Sequence, residues 1–105
     1  MGYYTDFSMT LEDKVEERLR AYAEEIDSYE IRELLDNRGY LNAKWYNAKD
    51  EMARFAADNP DLFFEIECSG EESDDFWKMT ATKGELLISS GFIAYSHSVK
   101  YKPEA

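Results

Sequence analysis

From Leu62 to Ser69 the chain alternates strictly, with Leu62, Phe64, Ile66 and Cys68 on one side and Phe63, Glu65, Glu67 and Ser69 on the other. A period of two sends successive side chains to opposite faces of a strand, so this segment is expected to lie with one face buried and one face in water. An antiparallel sheet covered on one side meets that demand. The following residues supply its neighbours. An acidic turn, Ser69-Gly70-Glu71-Glu72-Ser73-Asp74, leads into Phe76 to Thr82, and Lys83-Gly84 is a tight hairpin signal before Glu85 to Tyr95. Gly91 interrupts the last run and predicts a bulge or bend. The C-terminal half therefore reads as a three-stranded meander.

The other half supplies the cover. Tyr3 to Met9, dense in aromatic residues, reads as a first strand. Thr10 then precedes Leu11-Glu12-Asp13, a hydroxyl placed to cap free amides ahead of acids that suit a helix N-terminus, and Val15, Leu19, Tyr22 and Ile26 follow at helical spacing. At Asp27-Ser28 the pattern restarts, and Ile31, Leu34 and Leu35 form either a second helix ended by Asn37-Arg38-Gly39 or a bent continuation of the first. Tyr40 to Tyr46 alternates as a strand, with Leu41, Ala43 and Trp45 on one face. Asn47 opens a third helix with Met52, Phe55 and Ala56 as its buried stripe, closed by Asn59-Pro60. Residues 98–105 read as a frayed tail. The expected fold is α+β: one domain over residues 1–105, an antiparallel sheet in the order β-α-α-β-α-β-β-β, with helices packed on one face.

A chain of 105 residues can bury one core without disulfides or metal, and a composition that is 44% hydrophobic and 15% aromatic argues against disorder. Its 23 acids against 12 bases leave a net charge of −11. Such a field disfavours direct contact with nucleic acid or an anionic membrane and suits a basic protein surface or cations. No apolar run is long enough to span a membrane, and one cysteine, Cys68, fits a reducing cytoplasm.

No catalytic apparatus is legible. His97 is the only histidine and sits between two serines near the C-terminus, and the acids that could orient it are too many to single one out. Cys68 shares the apolar face of its strand, and the glutamates around it would raise its pKa, so it reads as a small buried hydrophobe rather than a nucleophile. One cysteine and one histidine cannot build a zinc cage, and the acidic turn lacks the ligand spacing of a calcium loop. The five glycines are scattered and form no phosphate loop. No metal and no cofactor are expected.

Charge is the informative signal. Between Asp61 and Gly84 seven acids face two lysines, a net −5. With Phe64 and Ile66 buried, Glu65 and Glu67 project together beside Glu71, Glu72, Asp74 and Asp75, and these six form the expected partner-binding surface. A second acidic surface, Glu12, Asp13, Glu16, Glu17, Glu24 and Glu25, is expected to be diluted by local pairing to Lys14, Arg18 and Arg20.

The stretches Lys44-Trp45-Tyr46, Asp50-Glu51-Met52, Asn59-Pro60-Asp61-Leu62-Phe63 and Ser69 to Lys78 resemble a family of small acidic proteins encoded by bacteriophages and prophages. The likeness covers most of the chain in order. It departs at Asn47 and Ala48, where the family is more polar and acidic. It implies a phage-encoded inhibitor of a host defence or nucleic-acid-handling protein, working in the host cytoplasm. A homodimer through a sheet edge is one alternative. A binder of small molecules or nucleotide signals, with Tyr40, Trp45, Tyr46 and Trp77 around a cleft, is the other.

Overall fold

The fold is described from a computed structural model over residues 4–71, 75–90 and 98–101. β1 (Thr5–Met9) is followed by α1 (Asp13–Ile26), α2 (Tyr29–Asp36), β2 (Tyr40–Ala43), α3 (Ala48–Asp58), β3 (Phe64–Gly70), β4 (Phe76–Thr82), β5 (Glu85–Ser90) and β6 (Ser98–Tyr101). The strands form one antiparallel sheet in the order β2-β1-β3-β4-β5-β6. The class is α+β, as the periodicity predicts.

Register explains why one face is oily. Phe7 pairs with Leu41 on one side and Cys68 on the other, Ile66 pairs with Met79, and Met79 with Ile88. These rows point at the three helices, where Leu19, Ile31, Leu34, Met52 and Phe55 complete a single core. Phe55 links the layers, its ring 5.3 Å from Tyr22 and 5.7 Å from Phe64.

Of the three helix starts only that of α2 carries a side-chain cap, and Asn47, in the cap position of α3, makes no capping bond. α1 stops where Asp27 turns left-handed, and Ser28 then caps α2 by accepting a hydrogen bond from the Ile31 amide, so the two helices are separate. This early stop leaves Ile26 exposed, and Ala23 takes the buried place expected for it. Thr10 is not the cap of α1. The cap position belongs to Glu12, whose side chain makes no capping bond.

Gly39 both ends α2 and starts β2. Its amide donates to the Leu34 carbonyl at 2.7 Å, its own carbonyl accepts from the Met9 amide at 2.8 Å, and its φ of 95° is one that side-chain-bearing residues rarely adopt. The β4–β5 hairpin turns on Lys83 and Gly84, both at positive φ, as a two-residue turn of this kind needs.

Several boundaries differ from expectation, and β2 stops at Ala43 rather than running on to Tyr46. Ser98–Tyr101 is not frayed but pairs with β5 as β6, with Tyr101 opposite Leu86. β3 begins at Phe64, although Leu62 is buried ahead of it. The expected bulge at Gly91, the continuation of that strand to Tyr95, and residues 102–105 lie outside the described residues.

Candidate partner-binding face

The face of the sheet turned away from the helices carries Asp6 and Ser8 of β1, Glu65, Glu67 and Ser69 of β3, and Phe76, Lys78 and Thr80 of β4. Each lies one residue out of step with a core position, so the alternation that seals one face also assembles the other. Glu65 and Glu67 are exposed, as their spacing predicts. On β5 Ser89 is buried at this face while Glu85 is exposed, and the exposed carboxylates Glu65 and Glu67 are on β3.

The expected acids do not behave alike. Glu65 pairs with Lys78 at 3.2 Å and accepts a weaker hydrogen bond from Thr80 at 3.4 Å. Glu67 stands between Ser8 on β1 and Lys78 on β4. Lys78 thus interrupts the carboxylates. Glu71 turns to the start of β1 and accepts a hydrogen bond from the Tyr4 amide. Asp75 is half-buried, and its carbonyl receives the Gly70 amide at 2.8 Å, closing the turn. Glu72 and Asp74 lie outside the described residues.

Strand pairing adds an acid that sequence reading passed over. Asp6 lies on this face and accepts hydrogen bonds from Tyr40 at 2.9 Å and Asn42 at 2.6 Å, which fix its direction. Two shallow grooves run along β1 and β3 and share Ser8 and Glu67. One, of about 360 Å³, is bordered by Thr10, Glu12, Phe63 and Glu65, and the other, of about 240 Å³, by Asp6, Ser69 and Phe76. Phe63, beside the first groove, is 56% exposed. The face therefore combines carboxylates at Asp6, Glu12, Glu65 and Glu67 with an aromatic ring toward each end.

The helical side holds more charge than expected. From Glu12 to Asp36 ten acids stand against four bases. Lys14 and Arg18 do not pair along α1 but reach Asp61, at 2.8 and 2.7 Å, and hold its carboxyl well below the usual carboxylate range. Arg20 pairs with Glu16 and Asp36, and Arg32 with Glu24 and Asp27.

Other titratable groups are tied into structure. Burial raises the Glu51 carboxyl, against hydrogen bonds donated by the Trp45 indole at 2.8 Å and by Ser28. Burial pushes the Tyr22 hydroxyl up to about 12, and it donates to the Glu51 carbonyl at 2.9 Å. Burial also pushes the Cys68 thiol up, with Lys49 opposing the shift, so a nucleophilic thiolate is disfavoured. Among the described residues no group of three or more metal-ligating side chains converges. Among the described residues no helix is long and apolar enough to cross a membrane. His97 lies outside the described residues.

Compared with protein-family models, curated proteins and solved structures, the chain matches none, so the reading of this face rests on its own geometry.

Proposed function

We propose that this chain is a non-enzymatic binding protein that seats a basic protein surface on the open face of its sheet. The observation that carries the reading is the juxtaposition on β1 and β3 of Asp6, Glu65 and Glu67 along grooves bordered by Phe63 and Phe76. Carboxylates would orient a cationic partner and speed its encounter, while the aromatic rings supply area that excludes water. In sequence Glu71, Glu72, Asp74 and Asp75 follow β3 and add to the local negative charge. The resemblance to small phage-encoded proteins directs the same reading to a host defence or nucleic-acid-handling protein in the cytoplasm, inhibited by occupation of a groove that otherwise takes phosphates.

Capture from a bacterial lysate, with the bound proteins identified by mass spectrometry, tests this. A basic protein held by the wild type, lost on Glu65→Lys/Glu67→Lys and released as ionic strength rises, is the expected result. Capture that charge reversal leaves unchanged would overturn it.

The homodimer is the weaker reading at the β2 edge. Met9 donates toward β2, so the Tyr40 and Asn42 backbone groups face outward, and Asn37 occupies both groups of Tyr40, accepting from its amide at 3.3 Å and donating to its carbonyl at 3.2 Å. With the Tyr40 groups occupied, this edge offers fewer free backbone groups to a second strand. At the other edge Val99 is 71% exposed, and light scattering at high salt would reveal apolar self-association there.

A further inference from the structure

A second concavity, on the helix side of the sheet, has different chemistry. It is a notch of about 190 Å³ where β1, β4 and the start of α3 meet, lined by Phe7, Trp45, Tyr46, Lys49 and Trp77. Its floor is fixed. The Phe7 ring meets Trp45 edge-on at 5.1 Å and Trp77 at 6.3 Å, and the Trp45 indole is tethered to Glu51. Trp77 is half-buried and Tyr46 is 70% exposed, so rings form both wall and rim. Tyr40, expected to join this cluster, is instead on the open face with Asp6.

Two lysines in this region rest on aromatic rings. Lys49 Nζ lies 4.8 Å from the centroid of Trp77, and Lys44, next in sequence to the lining residue Trp45, has its Nζ 5.0 Å from the centroid of Tyr4. Elsewhere Lys14, Arg18, Arg20, Arg32, Lys78 and Lys100 are each paired with carboxylates. Neither Lys44 nor Lys49 forms an ion pair among the described residues. The neighbouring acids are engaged elsewhere, Asp50 by the Tyr101 hydroxyl, Glu51 by Trp45 and Glu71 by the Tyr4 amide. An aromatic face can hold an ammonium group, but a carboxylate or phosphate attracts it more strongly once one arrives.

We propose that this notch binds a small planar aromatic anion, its ring entering against Trp77 and its charge held at the mouth by Lys44 and Lys49. The volume lies below the roughly 300 Å³ at which drug-sized ligand pockets begin, so one ring enters and the charged group stays outside. Two sources share that chemistry, a pyrimidine nucleotide and an aromatic carboxylate. The site is independent of the acidic sheet face, and either reading can fail alone.

The test is fluorescence of Trp45 and Trp77, the two tryptophans of the chain, titrated with uridine monophosphate, uridine and benzoate. Saturable change with uridine monophosphate or benzoate, weakened about tenfold or more by Lys44→Met/Lys49→Met, supports the site and identifies the source. Two results would overturn it: no saturable change with either anion at millimolar concentration, or affinity equal in the lysine variant and the wild type. Uridine binding as tightly as its monophosphate would also overturn it, because the lysines would then have no role. Lys44 is exposed and Lys49 half-buried, so the variant is expected to keep its fold, which circular dichroism checks.

Discussion

The two faces of the sheet are built from the same strands and do opposite work. On the covered face Phe7, Ile66, Met79 and Leu86 are each no more than 1% exposed, whereas Asp6, Glu65 and Glu67, one residue away in sequence, make the accessible face. Burial energetics belongs to the first and recognition to the second. Charge changes on the open face should therefore alter binding without unfolding the protein, a separation that substitutions can sharpen or break.

The largest effect is expected in the core. Phe55→Ala removes the ring that bridges α1, α3 and β3, and it should lower unfolding free energy by about 3–5 kcal/mol in a denaturant titration. Gly39→Ala comes next, at about 1–3 kcal/mol, since an added Cβ would stand 2.2 Å from the Met9 carbonyl oxygen at a strained φ. Ser28→Ala should cost about 1 kcal/mol by removing the α2 cap.

Acid should act through Asp61. Its folded-state carboxyl is held below the unfolded value by Arg18 and Lys14, so the stability it adds is present above the ordinary carboxylate range and lost as pH falls below it. Asp61→Asn should flatten the acid limb of a stability–pH profile, and an unchanged limb would show that the two cations add nothing to folding. The smallest stability effect is expected on the open face. Glu67→Lys should shift stability by less than about 0.5 kcal/mol while abolishing partner capture. A large loss of stability there would break the comparison.

Much of this was legible because periodicity is local. The period-two run through Phe64, Ile66 and Cys68 and the helical stripe through Val15, Leu19 and Tyr22 depend on neighbours in sequence, and both faces lie where the pattern puts them. Strand order is not local. Nothing in Thr5–Met9 announces that it sits between β2 and β3, so Asp6 could not be placed beside Ser69 in advance. The same limit hid Lys78, whose position opposite Glu67 follows from the β3–β4 register. Ser98–Tyr101 is too short to show alternation and is a strand only because β5 offers an edge. The alternation puts Trp45 on the face with Leu41, where it is buried, but the lysines resting on aromatic rings nearby are set by tertiary packing.

Cys68 sits mid-strand in β3, a strand flanked by β1 on one side and β4 on the other, and is 1% exposed. Its sulfur can meet a thiol reagent only when that strand parts from its neighbours, so the rate of labelling would clock the opening of the sheet's centre with no engineered probe. Oxidative crosslinking between molecules is subject to the same gate, and covalent dimers would accumulate only from chains that had already opened.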